Sequence, residues 1–304
     1  VATKETAAAK DLPAKDLPLV AGIDGSDASL CALDWAVDEA RRHGARLRVV
    51  YASLWERYEG RIADQDSALT AEALAEERVV ALAQRRALER APGLEVAAEV
   101  VPDEAVNALL AEAYDAAALV IGPSGHTTLA GLLLGSVSLT VAGRAHCPVI
   151  VVRGEQPAVQ GEHRRIVVGV GDPAEAPAAL RFALREGAAR GCEVAAVRAW
   201  RHPARQSVEH YPLPSDATVS REEAAARELS DLLREPHEEF PEVVVRPTTL
   251  EGPAHRLLVE HSRTADLLVV GATRRHRALG FQLGRVSHTA LHRAACPVAV
   301  VPHH

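Results

Sequence analysis

The sequence predicts an α/β protein made of two tandem doubly wound, Rossmann-like units, each a five-stranded, mainly parallel sheet with helices on both faces. Three observations predict it. The chain repeats itself once, and each copy alternates short apolar runs with longer stretches of helical periodicity. Its 304 residues, 48% of them hydrophobic, are also enough to fill two ordinary cores.

The repeat is long. Gly143-Arg-Ala-His-Cys-Pro-Val-Ile-Val-Val152 is matched by His292-Arg-Ala-Ala-Cys-Pro-Val-Ala-Val-Val301. Leu119-Val-Ile-Gly122 returns as Leu268-Val-Val-Gly271, and Leu134-Gly135 as Leu283-Gly284, all at an offset of 149. Val20-Ala-Gly-Ile23 returns as Val167-Val-Gly-Val170 at an offset of 147. A period of this size means duplicated domains, not a solenoid.

In the first copy Leu19 to Ile23 is a strand, and Asp24-Gly-Ser-Asp27 supplies capping groups for the helix that follows. Leu30, Leu33, Val37 and Ala40 recur at helical spacing until Gly44 ends the helix. Leu47 to Ala52 is the second strand, and a long helix from about Ser67 to Arg90 stops at Pro92-Gly93. Leu94 to Val101 is the third strand, Ala105 to Tyr114 a helix and Ala117 to Ile121 the fourth strand. A Gly-punctuated loop, a helix over Ser136 to Ala142 and a strand over Val149 to Val152 complete the unit. The order repeats from Ile166 to Val301. Residues 1–17, with Lys-Asp-Leu-Pro at Lys10 and again at Lys15, read as a mobile tail. The domains are expected at 18–153 and 164–304, with the polar segment 154–163, carrying Pro157 and Gly161, as linker.

Composition excludes several classes. A net charge of -7 argues against nucleic acid as a partner. No run approaches the ~20 apolar residues of a membrane span, and the first residues lack a secretory pattern. Cys31, Cys147, Cys192 and Cys296 are widely spaced, as reduced, inert thiols of a cytoplasmic protein would be.

Ligands of open parallel sheets sit beyond the carboxyl ends of the strands. There the first copy places Asp24, then Gly122-Pro-Ser-Gly125, nine residues, and Gly135-Ser136 at a helix start. Gly122 and Gly125 let main chain approach a ligand closely. Gly135 and Ser136 open a helix whose free N–H groups suit a phosphate, and the Ser136 hydroxyl is a further donor. Asp24 can accept from a ribose hydroxyl or a base amino group, or help to hold Mg²⁺. These alternatives stay open at this level.

Gly-x-x-Gly, nine residues and Gly-Ser, followed by Val137-Ser138 and Cys147-Pro148-Val149, resembles the universal stress protein family over everything but the tail and linker. The resemblance implies ATP or a related adenine nucleotide, with phosphate contacts at Gly122, Gly125, Gly135, Ser136 and Val137. Base and ribose contacts would fall near Asp24, Ile121 and Ala52. It also implies that the terminal strands of the halves pair antiparallel, forming a dimer-like unit within one chain, with a homodimer of whole chains left open.

The second copy departs from the pattern. Gly271 and Gly284 hold their places, but Arg274 replaces the second glycine, Arg285 the small hydroxyl residue, and Gly171 stands where Asp24's counterpart belongs. Degeneration of that nucleotide site is expected; the alternative is an anion gripped by Arg274, Arg275, Arg277 and Arg285.

Other signals are weaker. Gly169-Val-Gly171-Asp-Pro-Ala174 fits a dinucleotide fingerprint, but Ala199-Trp200 stand where its acid belongs. His288 and His292, four apart, lack a third metal ligand, and His146 beside Cys147 has only Ala295 as its counterpart. The expected function is a nucleotide-responsive stress regulator. A slow ATPase, for which His126 is the one candidate base, and a non-binding scaffold are the alternatives.

Overall fold

The computed structural model describes residues 17–53, 66–123, 134–201, 215–272 and 283–303. The tail expected at 1–17 therefore lies almost wholly outside the described residues, as do Gly125, His126, Arg274, Arg275 and Arg277.

The first apolar run forms β1 (Leu19–Ile23), and Ser26 caps α1 (Asp27–His43) by accepting the Ser29 N–H at 3.2 Å. Gly44, left-handed at φ 62°, ends that helix. The unit continues through β2 (Leu47–Ala52), α2 (Asp66–Arg90), β3 (Val96–Val101) and α3 (Ala105–Glu112). It closes with β4 (Ala118–Ile121), α4 (Ser136–Arg144) and β5 (Val149–Val151). Two ends differ from the sequence reading for local reasons. Leu94 donates its N–H back to the Ala91 carbonyl, so β3 starts later, and α4 runs on past Ala142.

The segment expected as a linker folds a short helix, α5 (Gln156–Gln160), with Pro157 in its first turn and left-handed Gly161 after it. Proline, taken as a breaker, is tolerated at a helix start, where its missing N–H has no partner to lose. The second unit is β6 (Arg165–Gly169), α6 (Ala176–Arg190), β7 (Glu193–Trp200), α7 (Ser215–Glu239) and β8 (Val245–Glu251). Then follow α8 (Ala254–His261), a 3₁₀ turn, β9 (Leu267–Ala272), α9 (Arg285–Arg293) and β10 (Val298–Pro302).

The strands form one ten-stranded sheet in the order β3-β2-β1-β4-β5-β10-β9-β6-β7-β8. Each half is parallel. The halves join antiparallel at β5 and β10, with Val149 opposite Val300, Ile150 opposite Ala299 and Val151 opposite Val298. All six side chains are buried, so two apolar edges that would otherwise be exposed cover each other. Alternation along the strands sends Leu19 and Ala21 to a core under α1, α2, α6 and α7, and Val20 to one under α3, α4, α8 and α9. Both cores run through both halves.

A polar cluster ties α1 to α6. Glu39 and Glu186 occupy equivalent places in the two halves, as do His43 and Arg190. Arg190 donates to Glu39 at 2.5 Å and to Glu186 at 3.3 Å, while His43 Nε2 lies 3.2 Å from Glu39 and 3.1 Å from Glu186. The Arg190 guanidinium also lies 5.0 Å from the Trp35 ring centroid. Burial opposes the charge on Glu39, but Arg190 and the hydrogen bonds from Glu186 and His43 hold its carboxyl well below the usual range. On Glu186 burial and the neighbouring Glu39 charge prevail and raise the carboxyl. The two glutamates raise His43 to about 9.

All four cysteines are free. Cys147 and Cys296 are buried, Cys31 and Cys192 half-buried, and burial raises every one, Cys147 to about 12 and Cys192 to about 11. They are inert as nucleophiles near neutrality. Among the described residues no helix is long and apolar enough to cross a membrane.

Candidate functional site

The strand order reverses its direction of winding between β1 and β4, the place where doubly wound sheets open a crevice. A cavity of about 390 Å³ lies there. Asp24 and Ala52, at the ends of β1 and β2, line one side of it, and Ile121 and Gly122, at the end of β4, line its floor. Gly135, Ser136 and Val137, at the start of α4, close the other side. Every expected site residue of the first half is thus gathered on one cavity, except Gly125, which lies outside the described residues.

The local chemistry explains how each is held. Gly135 is the N-cap of α4 and offers no side-chain acceptor, so the first N–H groups of that helix are left for solvent or a ligand. Ser138 donates its hydroxyl to the Gly122 carbonyl at 2.8 Å, fixing α4 against the end of β4. Gly122 meets the backbone of α1: a Cβ there would stand 3.1 Å from the carbonyl carbon and oxygen of Ala28. Its glycine is therefore favoured by helix packing as well as by any ligand. Asp24 Oδ1 accepts the Ser26 N–H at 2.9 Å and the Ser26 hydroxyl at 2.5 Å, which orients the carboxylate at the mouth.

Sequence reasoning missed several lining residues. Val50 comes from β2, Ala105 and Leu109 from α3, and Ser29 from α1. Leu109 was signalled indirectly by Gly22, since a Cβ there would lie 2.8 Å from the leucine side chain. Gly169 has the same relation to Leu258, at 2.6 Å. Close helix packing accounts for Gly169, and with it for one glycine of the apparent dinucleotide fingerprint.

The second half repeats the architecture with other chemistry. A cavity of about 520 Å³ is lined by Gly171, Gly271, Gly284 and Arg285, and Ser287 donates to the Gly271 carbonyl at 3.0 Å as Ser138 does to Gly122. The acid is not lost but displaced by one residue. Asp172 lines the cavity and accepts the Ala174 N–H at 2.9 Å, the turn that Asp24 makes with Ser26. Gly171 instead turns its carbonyl to Arg198, which donates to it at 2.6 Å and pairs with Glu228 at the same distance. Arg285 is exposed at the rim. His146 stacks on Tyr114, with ring centroids 4.2 Å apart, and Cys147 beside it is buried, so the pair forms no nucleophile.

The universal stress protein family model matches residues 18–153 and again 162–302. Universal stress protein Rv2005c of Mycobacterium tuberculosis is 32% identical over 95% of this chain and 98% of its own length. Universal stress protein Rv1996 of the same organism is 30% identical over 94% and 95%. A crystal structure of a universal stress protein from Archaeoglobus fulgidus superposes with a TM-score of 0.68 at 15% identity, covering 96% of this chain and 99% of that one. At that identity the likeness speaks for the fold.

Proposed function

The chain belongs to the universal stress protein family, and from that membership we propose that its amino-terminal domain, about residues 18–153, binds ATP or a related adenine nucleotide and acts as a nucleotide-responsive regulator in the cytoplasm. The observation that carries this reading is the convergence of Asp24, Gly122 and the uncapped start of α4 on one 390 Å³ cavity, a volume suited to a small ligand.

The chain's own groups divide the work. The N–H groups of Ser136 and Val137, at the positive end of α4, meet phosphate oxygens. Asp24, held by Ser26, accepts from a ribose hydroxyl. Ile121, Val50 and Leu109 give the base an apolar bed. Asp24 is a single carboxylate already engaged in its turn, so any Mg²⁺ would be held chiefly by the phosphates. In the second domain, about residues 164–304, the cavity lacks this set, and nucleotide binding of the same kind is lost.

Calorimetric titration of ATP tests the reading. Ser136→Arg installs the second domain's residue at an exposed position, whereas Gly122→Val would collide with α1 and confound folding with binding. The expected result is one ATP held in the first-domain crevice, a binding event abolished by Ser136→Arg. At ATP a hundredfold above Kd the unmodified chain gains about 2.7 kcal/mol of stability. Binding that survives Ser136→Arg unchanged would remove the assignment, and phosphate release above background would promote the slow ATPase.

A further inference from the structure

A cleft of about 630 Å³ lies between α8 and α9, on the second domain alone. His255 and Arg256 line it from α8, and Arg285, His288, His292 and Arg293 from α9. Its described lining includes no carboxylate, and none of the six pairs with an acid among the described residues. The duplication supplies a control. At the matching places the first domain has Val106, Asn107, Ser136, Leu139 and Gly143, and only Arg144 keeps a charge. Five neutral positions have thus become basic or histidine on one surface of a chain whose net charge is -7. Uncompensated like charges destabilise the fold that bears them, so the arrangement calls for an anion.

We propose that the α8–α9 cleft is a separate ligand site that takes a small polyphosphate anion, with Arg256, Arg285 and Arg293 as its charge contacts and the three histidines as further donors. Guanidinium groups meet phosphate oxygens through two parallel N–H bonds, which suits them to this chemistry. A metal ion is the poorer occupant. The His288 and His292 rings lie with centroids 4.5 Å apart, but the charges acting on His292 are those of His288, Arg153 and Arg293, all positive. Burial and the charges of Arg285, Arg256, Arg201 and Arg293 lower His255, and burial with His288, Arg153 and Arg293 lowers His292. A bound anion offsets those charges and so favours the protonated rings. Arg285 lines both this cleft and the 520 Å³ cavity. The polyphosphate is therefore either the tail of a nucleotide whose base enters that cavity or a free inorganic chain. The site does not depend on nucleotide binding in the first domain.

The test titrates tripolyphosphate, ATP and adenosine into the full chain at low salt. Tripolyphosphate binds, and it weakens as salt is added. The pair Arg256→Asn and Arg285→Ser restores the first domain's residues and weakens it at least about tenfold. Arg256→Asn alone, on an exposed position away from both cores, weakens it severalfold, and the cleft still takes up tripolyphosphate in Ser136→Arg, where the first-domain crevice is blocked. ATP binding tighter than tripolyphosphate at this site assigns a nucleotide tail, and equal binding assigns a free polyphosphate. Absence of tripolyphosphate binding at low salt, binding unchanged in the double variant, or binding lost in Ser136→Arg overturns the proposal.

Discussion

Two left-handed glycines in the connection between the halves show how much a single Cβ decides. Gly154 has φ 97°, and a Cβ there would lie 2.2 Å from the Ala295 carbonyl oxygen of the other half. Gly161 has φ 77° and open space around it. Gly161→Ala should therefore cost only the left-handed strain, about 1 kcal/mol, while Gly154→Ala should cost about 3 kcal/mol or more, because backbone must move. Urea denaturation of the two variants measures the difference, and equal losses would refute the close contact. The same scale shows what sequence reading caught at the candidate site. Glycines and a helix-start Gly-Ser are local signals, so Gly122, Gly135 and Ser136 could be placed on one site, whereas Val137 followed from the family resemblance. Leu109 and Val50 could not, since an apolar residue inside a helix or strand carries no sign of which cavity it lines. Asp172 was missed because a one-residue shift of the turn hides an acid from any comparison at fixed offset.

Between elements, the cluster at α1 and α6 is the feature most open to measurement. The folded pKa of His43, about 9, lies above its ordinary 6.5, so its stabilisation is complete below pH 6.5 and is lost as pH rises through 9. Thermal melts should show the chain losing stability across that window, with the loss reduced in His43→Gln; an unchanged profile in the variant would exclude the ring as its source. Glu39→Ala leaves Arg190 buried without its nearest partner, 2.5 Å away, and should cost about 3–5 kcal/mol. The elements themselves were largely legible, because apolar alternation and helix caps are encoded within a few residues. The cluster was not: Glu39 and Glu186 are ordinary helix glutamates in sequence, and only the packing of two halves buries them together. The short helix α5 within the expected linker is hidden in sequence for a related reason, since Pro157 breaks a helix interior yet opens a helix well.

As a whole, the molecule is one sheet and two continuous cores rather than two beads on a string. Melting should accordingly be a single cooperative transition in calorimetry. Proline at Ala299, opposite Ile150 where the halves join, removes a main-chain donor from a central strand and should split that transition into two; a single transition retained in Ala299→Pro would mean that the halves do not depend on this seam. The duplication leaves two crevices of like geometry and unlike chemistry, one lined by Asp24 and small residues, the other by Asp172, Arg198 and Arg285. The central claim is that the first of these wraps an adenine nucleotide. A crystal structure grown with ATP tests it most directly. Phosphate density against the main-chain N–H groups of Ser136 and Val137, with ribose beside Asp24, is the predicted result. Nucleotide elsewhere, with that crevice closed by the protein's own side chains, would contradict it.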